Sequence, residues 1–113
     1  MMVEQQLFAA LNALVSGRMY PMVAPDSPIT PYIVYQNISN KPEVCLAGNT
    51  PIQNTRMQID AYDKTYLGVK TLKASIDTAM LAASLRNVPL NQQDIYESAV
   101  KLYRIQQDYS IWY

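Results

Sequence analysis

The sequence predicts an α+β fold: a four- or five-stranded antiparallel or mixed sheet with two helices packed mainly on one face. Two observations carry this expectation. Apolar residues recur at helical spacing within residues 3–16 and 63–86, whereas residues 55–62 alternate in polarity and residues 32–39 are β-branched and aromatic. At 113 residues the chain suits one compact domain spanning 1–113, with one core and little to spare.

Taken in order, Val3, Leu7, Ala10, Leu11 and Leu14 form the stripe of an amphipathic helix running to Ser16, and Gly17 supplies its stop. Met19 and Tyr20 make at most a short edge strand. Pro21, Pro25, Pro28 and Pro31 each fix φ and remove a donor, so residues 21–31 form an irregular but ordered connector. Tyr32–Ser39 has no clean polar face, as expected of a strand inside the sheet and covered on both sides. Residues 40–54 hold Pro42, Pro51, Gly48 and three asparagines, which predicts a long connecting loop.

Thr55–Tyr62 places Arg56, Gln58 and Asp60 on one side and Met57, Ile59 and Ala61 on the other, a half-buried strand. Asp63 then reads as the N-cap of a second helix reaching about Arg86, with Tyr66, Val69, Leu72, Ile76, Ala79, Met80 and Ala83 as its apolar stripe. After Pro89, Asp94–Ser98 is a short strand and residues 99–101 make a turn. Leu102–Tyr113 closes the chain as a long strand with Tyr103, Ile105, Tyr109 and Ile111 on one face.

The two alternating strands suggest an antiparallel register with Arg56 opposite Asp108, Asp60 opposite Arg104, Gln58 opposite Gln106 and Ile59 opposite Ile105. A slip of one residue would turn both isoleucines outward, so burial pins the facing. The final strand is expected between strands 55–62 and 94–98, antiparallel to both.

Nine Lys plus Arg balance nine Asp plus Glu, which argues against a non-specific nucleic-acid binder, since that needs an excess of cations. There is no His, so no imidazole base or ligand, and the single Cys45 can form neither a metal knot nor an intrachain disulfide. No cationic stretch precedes an apolar one at the start and no apolar run approaches a bilayer's width, so neither a secretory signal nor a membrane span is expected, and a reduced intracellular compartment is the default. Charged residues are 16% of the chain and tyrosines number nine, a surface chemistry suited to an interface.

Reactive constellations are not evident. Cys45 lies near Glu43 with no base beside it and reads as a small apolar filler. Asp60 and Asp63 are explained as a cross-strand partner and a cap rather than an acid/base pair. Gly48-Asn49-Thr50 is no phosphate cradle, and Lys64, Lys70 and Lys73 are flanked by Asp63 and Asp77 as on a solvated helix face. The aromatic end around Tyr109, Trp112 and Tyr113 lacks accompanying cations, so it reads as core and interface rather than base stacking. No catalytic, cofactor-binding or metal-binding residue is assigned, and no cofactor is expected.

The succession Gly17-Arg18-Met19-Tyr20-Pro21, Pro31-Tyr32-Ile33-Val34-Tyr35, Arg56-Met57-Gln58-Ile59-Asp60-Ala61-Tyr62 and Leu102-Tyr103-Arg104 with Asp108-Tyr109-Ser110-Ile111-Trp112 resembles the tail-completion or tail-terminator proteins of long-tailed bacteriophages and prophages. The resemblance covers nearly the whole chain in order. It implies a non-catalytic α+β subunit, assembled in the bacterial host cytoplasm, that closes as a hexameric ring on the head-proximal end of the virion tail. Its implied partners are its own copies, the tail tube protein and a head-completion or connector protein, with DNA only as passing cargo and no membrane. The resemblance identifies no residue-level site. The interface candidates are Arg18 and Tyr20 after the first helix, and Lys41, Glu43, Val44, Leu46 and Asn49 in the 40–54 segment as a contact arm. Another head-tail joining or neck subunit, and a small-molecule-binding domain using tyrosine hydroxyls, are the competing classes.

Overall fold

The structure is a computed structural model that describes residues 3–26, 28–44, 51–83 and 86–112. Helix α1 (Val3–Leu11) tightens into a 3-10 turn over Asn12–Val15. Ser16 and Gly17 follow at φ 52° and 79°, and the Gly17 amide donates to the Asn12 carbonyl at 2.8 Å. The stop therefore begins one residue before the glycine, where a left-handed residue satisfies an orphan carbonyl of the last turn.

Strand β1 (Met19–Pro21) runs parallel to β2 (Tyr32–Val44), which pairs antiparallel with β3 (Pro51–Asp63). Helix α2 (Tyr66–Ala82) crosses over to β4 (Arg86–Glu97), and β5 (Leu102–Trp112) returns between β3 and β4, antiparallel to both. The sheet order is β1-β2-β3-β5-β4, with the last strand inserted where the alternation of polarity placed it.

Three expectations are corrected by the strands. Residues 40–44 and 51–54 are not loop: Asn40 pairs with Thr55 and Val44 with Pro51, extending β2 and β3 into a long hairpin. The distal part of β2 runs past the three residues that β1 covers and is an edge there, where Pro42 removes no interior ladder bond. Strand β4 is 12 residues long rather than the five of Asp94–Ser98. It tolerates Pro89 because it is the outermost strand and shifts register between Pro89 and Asn91. The β3–β5 register differs by two residues from the expected one. Arg56 lies opposite Ser110, Gln58 opposite Asp108, Asp60 opposite Gln106 and Ile59 opposite Gln107.

The second helix is corrected at both ends. Its N-cap is Thr65, whose hydroxyl accepts from the Gly68 amide at 3.0 Å, while the Asp63 carboxylate accepts from the neighbouring Lys64 amide. It ends at Ala82, and Arg86 opens β4. Tyr66, expected in the apolar stripe, is half exposed; its ring meets Tyr103 edge-on at 5.7 Å and its hydroxyl donates to Asp94 at 3.0 Å.

Both helical segments cover one face of the sheet. Leu7, Leu11 and Val15 join Val69, Ile76 and Met80 over Ile33, Met57, Ile59, Ala61, Ile105, Tyr109 and Ile111. Burying each large side chain contributes about 1.5–3 kcal/mol, which a helix of this length in isolation could not gain. The opposite face carries a smaller cluster, Tyr32, Val34 and Leu102 under Tyr20, Ala24 and Tyr62, at one end of the sheet. The molecule is elongated, 50 × 23 × 23 Å, because a hairpin of two 13-residue strands alone spans about 40 Å.

The cap assignment is testable by thermal melts. Thr65→Ala should cost about 1 kcal/mol by removing the acceptor for Gly68, and Asp63→Ala markedly less. Equal costs would return the cap to Asp63.

Candidate functional site

The sheet face without helices is polar along β3 and β5. There the Arg56 guanidinium meets Asp108 at 2.8 Å, and Arg104 reaches Asp60 at 3.1 Å and Glu97 at 2.9 Å. All four residues expected as structural pairs are thus brought together, each pair diagonal rather than directly opposite, since an arginine spans the offset of two residues. Asp60 and Asp108 are each only 5% exposed although no helix covers them, because the long neighbouring side chains lie over them. Burial pushes the Asp60 carboxyl above its ordinary value, against hydrogen bonds from Gln58 and Arg104 that favour the ionised form. Beside them Tyr62 stacks on Tyr32 with ring centroids 4.7 Å apart, and burial pushes its phenol up to about 12.

On the helix-covered side, a groove of about 420 Å³ opens between the C-terminal half of α2, β4 and β5, with Met80, Leu81, Pro89 and Leu90 among its lining residues. Asp77 sits in it and accepts from Lys73 at 2.7 Å, Gln107 at 2.8 Å and Tyr109 at 2.8 Å. Burial opposes ionisation of Asp77, but these bonds outweigh it and hold its carboxyl below the ordinary range. Lys73, Asp77, Gln107 and Tyr109 therefore bind one another, while the Gln107 Oε1 is buried without a hydrogen-bond partner. The phenol of Tyr109 is pushed up by its burial and by the Asp77 charge, so it acts as a donor.

Among the described residues no group of three or more metal-ligating side chains gathers. No helix of the structure is long and apolar enough to cross a membrane. Lys70 and Lys73 are paired with Asp94 and Asp77. Hydrogen bonding from Lys70 holds the Asp94 carboxyl low; the pair is exposed and contributes little to stability.

The sequence-derived interface candidates do not converge. Arg18 turns inward, its Nε donating to the Pro31 carbonyl at 3.0 Å, and Tyr20 is half-buried with its ring 6.1 Å from that of Tyr32. Both tie the connector to the sheet. Lys41, Glu43 and Val44 lie on the distal β2 rather than in a loop, and Cys45, Leu46 and Asn49 fall outside the described residues. Sequence reasoning missed two groups of exposed apolar side chains: Met22, Val23 and Ile29 in the connector that follows the edge strand β1, and Leu81, Val88 and Leu90 at the end of α2 and on β4, the opposite edge strand. Isolated exposed apolar residues are ordinary, and others stand elsewhere, such as Leu67 on α2 and Val100 in the β4–β5 turn. The clue was present in Met22-Val23 within a proline-rich run.

The family described as Tail completion protein gp17 matches residues 6–113. Among solved structures, a chain in the virion of a native gene transfer agent particle superposes with a TM-score of 0.62 at 18% identity, covering 97% of this chain and 90% of that one. No curated protein matches the chain by sequence.

Two outcomes check the energetics. Arg104→Met leaves Asp60 buried without its cation and should destabilise the protein by about 3 kcal/mol, most of which a second change, Asp60→Leu, restores; chemical denaturation of both variants measures this. Asp77 has a lowered folded pKa, so its stabilisation is present above the unfolded value of 3.8 and is lost as pH falls through the folded one. Asp77→Asn should therefore lower stability by about 1 kcal/mol at pH 7 and converge with the parent near pH 2 in melts run across that range.

Proposed function

The chain belongs to the tail completion protein gp17 family and is a structural protein of the virion tail, and from that premise we propose that it caps the tail tube and ends its polymerisation. The cap is a closed ring, hexameric as in the reading the sequence resemblance implies. It presents to the head a joining surface that further tube subunits cannot use. Family membership across residues 6–113 is the observation that carries this reading.

Surface chemistry supports it. The carboxylates Asp60, Asp77 and Asp94 are engaged in ion pairs within the fold. The work of such a protein is therefore recognition by shape. Ending a polymer requires one face that matches the last tube ring and another that does not, so specificity resides in the mismatch. Ring closure requires a head-to-tail contact whose rotation returns to its start, and burial at that contact would add stability beyond a 113-residue core. The ring's partners are the tube protein below and a head-completion protein above, with DNA passing through. The 1–113 chain acts as a single domain, and no catalytic step is involved.

Deleting the gene should yield tails of irregular length, or tails that fail to join filled heads, in electron micrographs of the lysate. Normal-length, attached tails in the deletion would refute the reading.

A further inference from the structure

We infer that the two lateral edges of the sheet are the two halves of one head-to-tail interface between copies of this chain: the connector beside β1 seats its Met22, Val23 and Ile29 in the α2–β4 groove of the next copy. This rests on the ring reading above and names the surfaces that close it.

The first support is where apolar surface is left in water. Met22, Val23 and Ile29 are 68%, 76% and 69% exposed, all within the connector that leaves β1, the edge strand on one side of the sheet. At the other edge Leu81 is 87% exposed and Leu90 50%, both lining the mouth of the groove. One edge offers a protrusion and the other a groove of about 420 Å³, large enough for several aliphatic side chains. Patches on opposite edges of the sheet cannot both enter one two-fold interface, so joining them takes a head-to-tail contact, which is what a ring demands.

The second support is level. The Met22 amide donates to the Tyr35 carbonyl at 2.8 Å. Tyr35 lies opposite Ile59, Ile59 opposite Gln107, and Gln107 opposite Gln92. Pro21 pairs with Tyr35, so Pro21 stands at the height of Gln92 and Met22, one residue on, at the height of the Pro89–Asn91 bulge that leaves Leu90 exposed; the Val23 amide turns back to the Pro21 carbonyl at 2.7 Å, which keeps Val23 beside that level. Copies set edge to edge with strands roughly aligned bring Val23 against Leu90 without sliding along the strands.

The third support is the character of the β4 edge. Pro89 and the adjoining bulge interrupt the row of backbone groups that another strand would need, so the contact there is made by side chains rather than by strand addition. Charge agrees. Asp26 is the single charged residue from Met19 to Tyr32 and is exposed, with no ion-pair partner among the described residues. On the opposite edge Arg86 is exposed and lies 5.8 Å from the Trp112 ring centroid, without a carboxylate partner among the described residues.

The test uses the full chain with Cys45→Ser, carrying either Val23→Cys or Leu90→Cys, and a short bismaleimide linker, with and without tail tubes. Mixing the two variants should give a cross-linked pair, and neither variant alone should. Val23→Asp and Leu90→Asp should each weaken self-association or tube capping at least about tenfold, with melting temperatures unchanged because both side chains are largely exposed. If the parent chain caps tubes but the mixed variants fail to cross-link, or the aspartate variants cap as well as the parent, the edge pairing is wrong while the capping function stands. If the parent neither self-associates nor caps tubes, both fall.

Discussion

The pairing of β3 with β5 is the constraint on which the rest of the molecule depends. On one face it sets Met57, Ile59 and Ala61 beside Ile105, Tyr109 and Ile111, the floor on which both helical segments dock. On the other it brings Arg56 to Asp108 and Arg104 to Asp60. A slip of one residue would expose the first set and bury cations without partners, two penalties acting together. Because β5 is inserted between β3 and β4, the same pairing also sets how far apart the two edges of the sheet stand and which residues share a level across it.

The helix-forming segments, the facing of β3 and β5 and the insertion of β5 were legible in the sequence because each rests on periodicity, which burial enforces. The β3–β5 register was legible only to within two residues. Displacing the pairing by two leaves every side chain on its original face, so burial does not discriminate, and charge matching favoured direct opposition. The fold instead joins the same partners diagonally, which long arginine side chains permit. Prolines misled in two places, at Pro42 and Pro89. Pro42 reads, with Pro51, as part of a long loop, and the strand is expected to start only after Pro89; both prolines lie on edges, where a strand tolerates them. The cap assigned to Asp63 illustrates a local ambiguity: Asp63 and Thr65 are both good capping residues, and Asp63 ends the strand, which moves the helix start to Thr65.

The candidate site was less legible than the fold. Sequence reasoning sought an interface in residues that are chemically distinctive, such as Arg18 and Tyr20, and these hold the connector to the sheet instead. The surfaces proposed for association are plain: exposed aliphatic side chains at Met22, Val23 and Leu90, in segments that the fold, not the linear sequence, sets on opposite sides of the sheet. The charged residues, by contrast, are largely engaged within the fold, with Asp60 and Asp108 buried under neighbours.

A cryo-electron microscopy reconstruction of the head-proximal end of intact virions tests the central claim most directly. The account predicts a single ring of this chain on the last tube layer, with each subunit's connector against its neighbour's α2–β4 groove. Finding the chain elsewhere in the particle, or repeated along the tube as one of its ordinary layers, would contradict it.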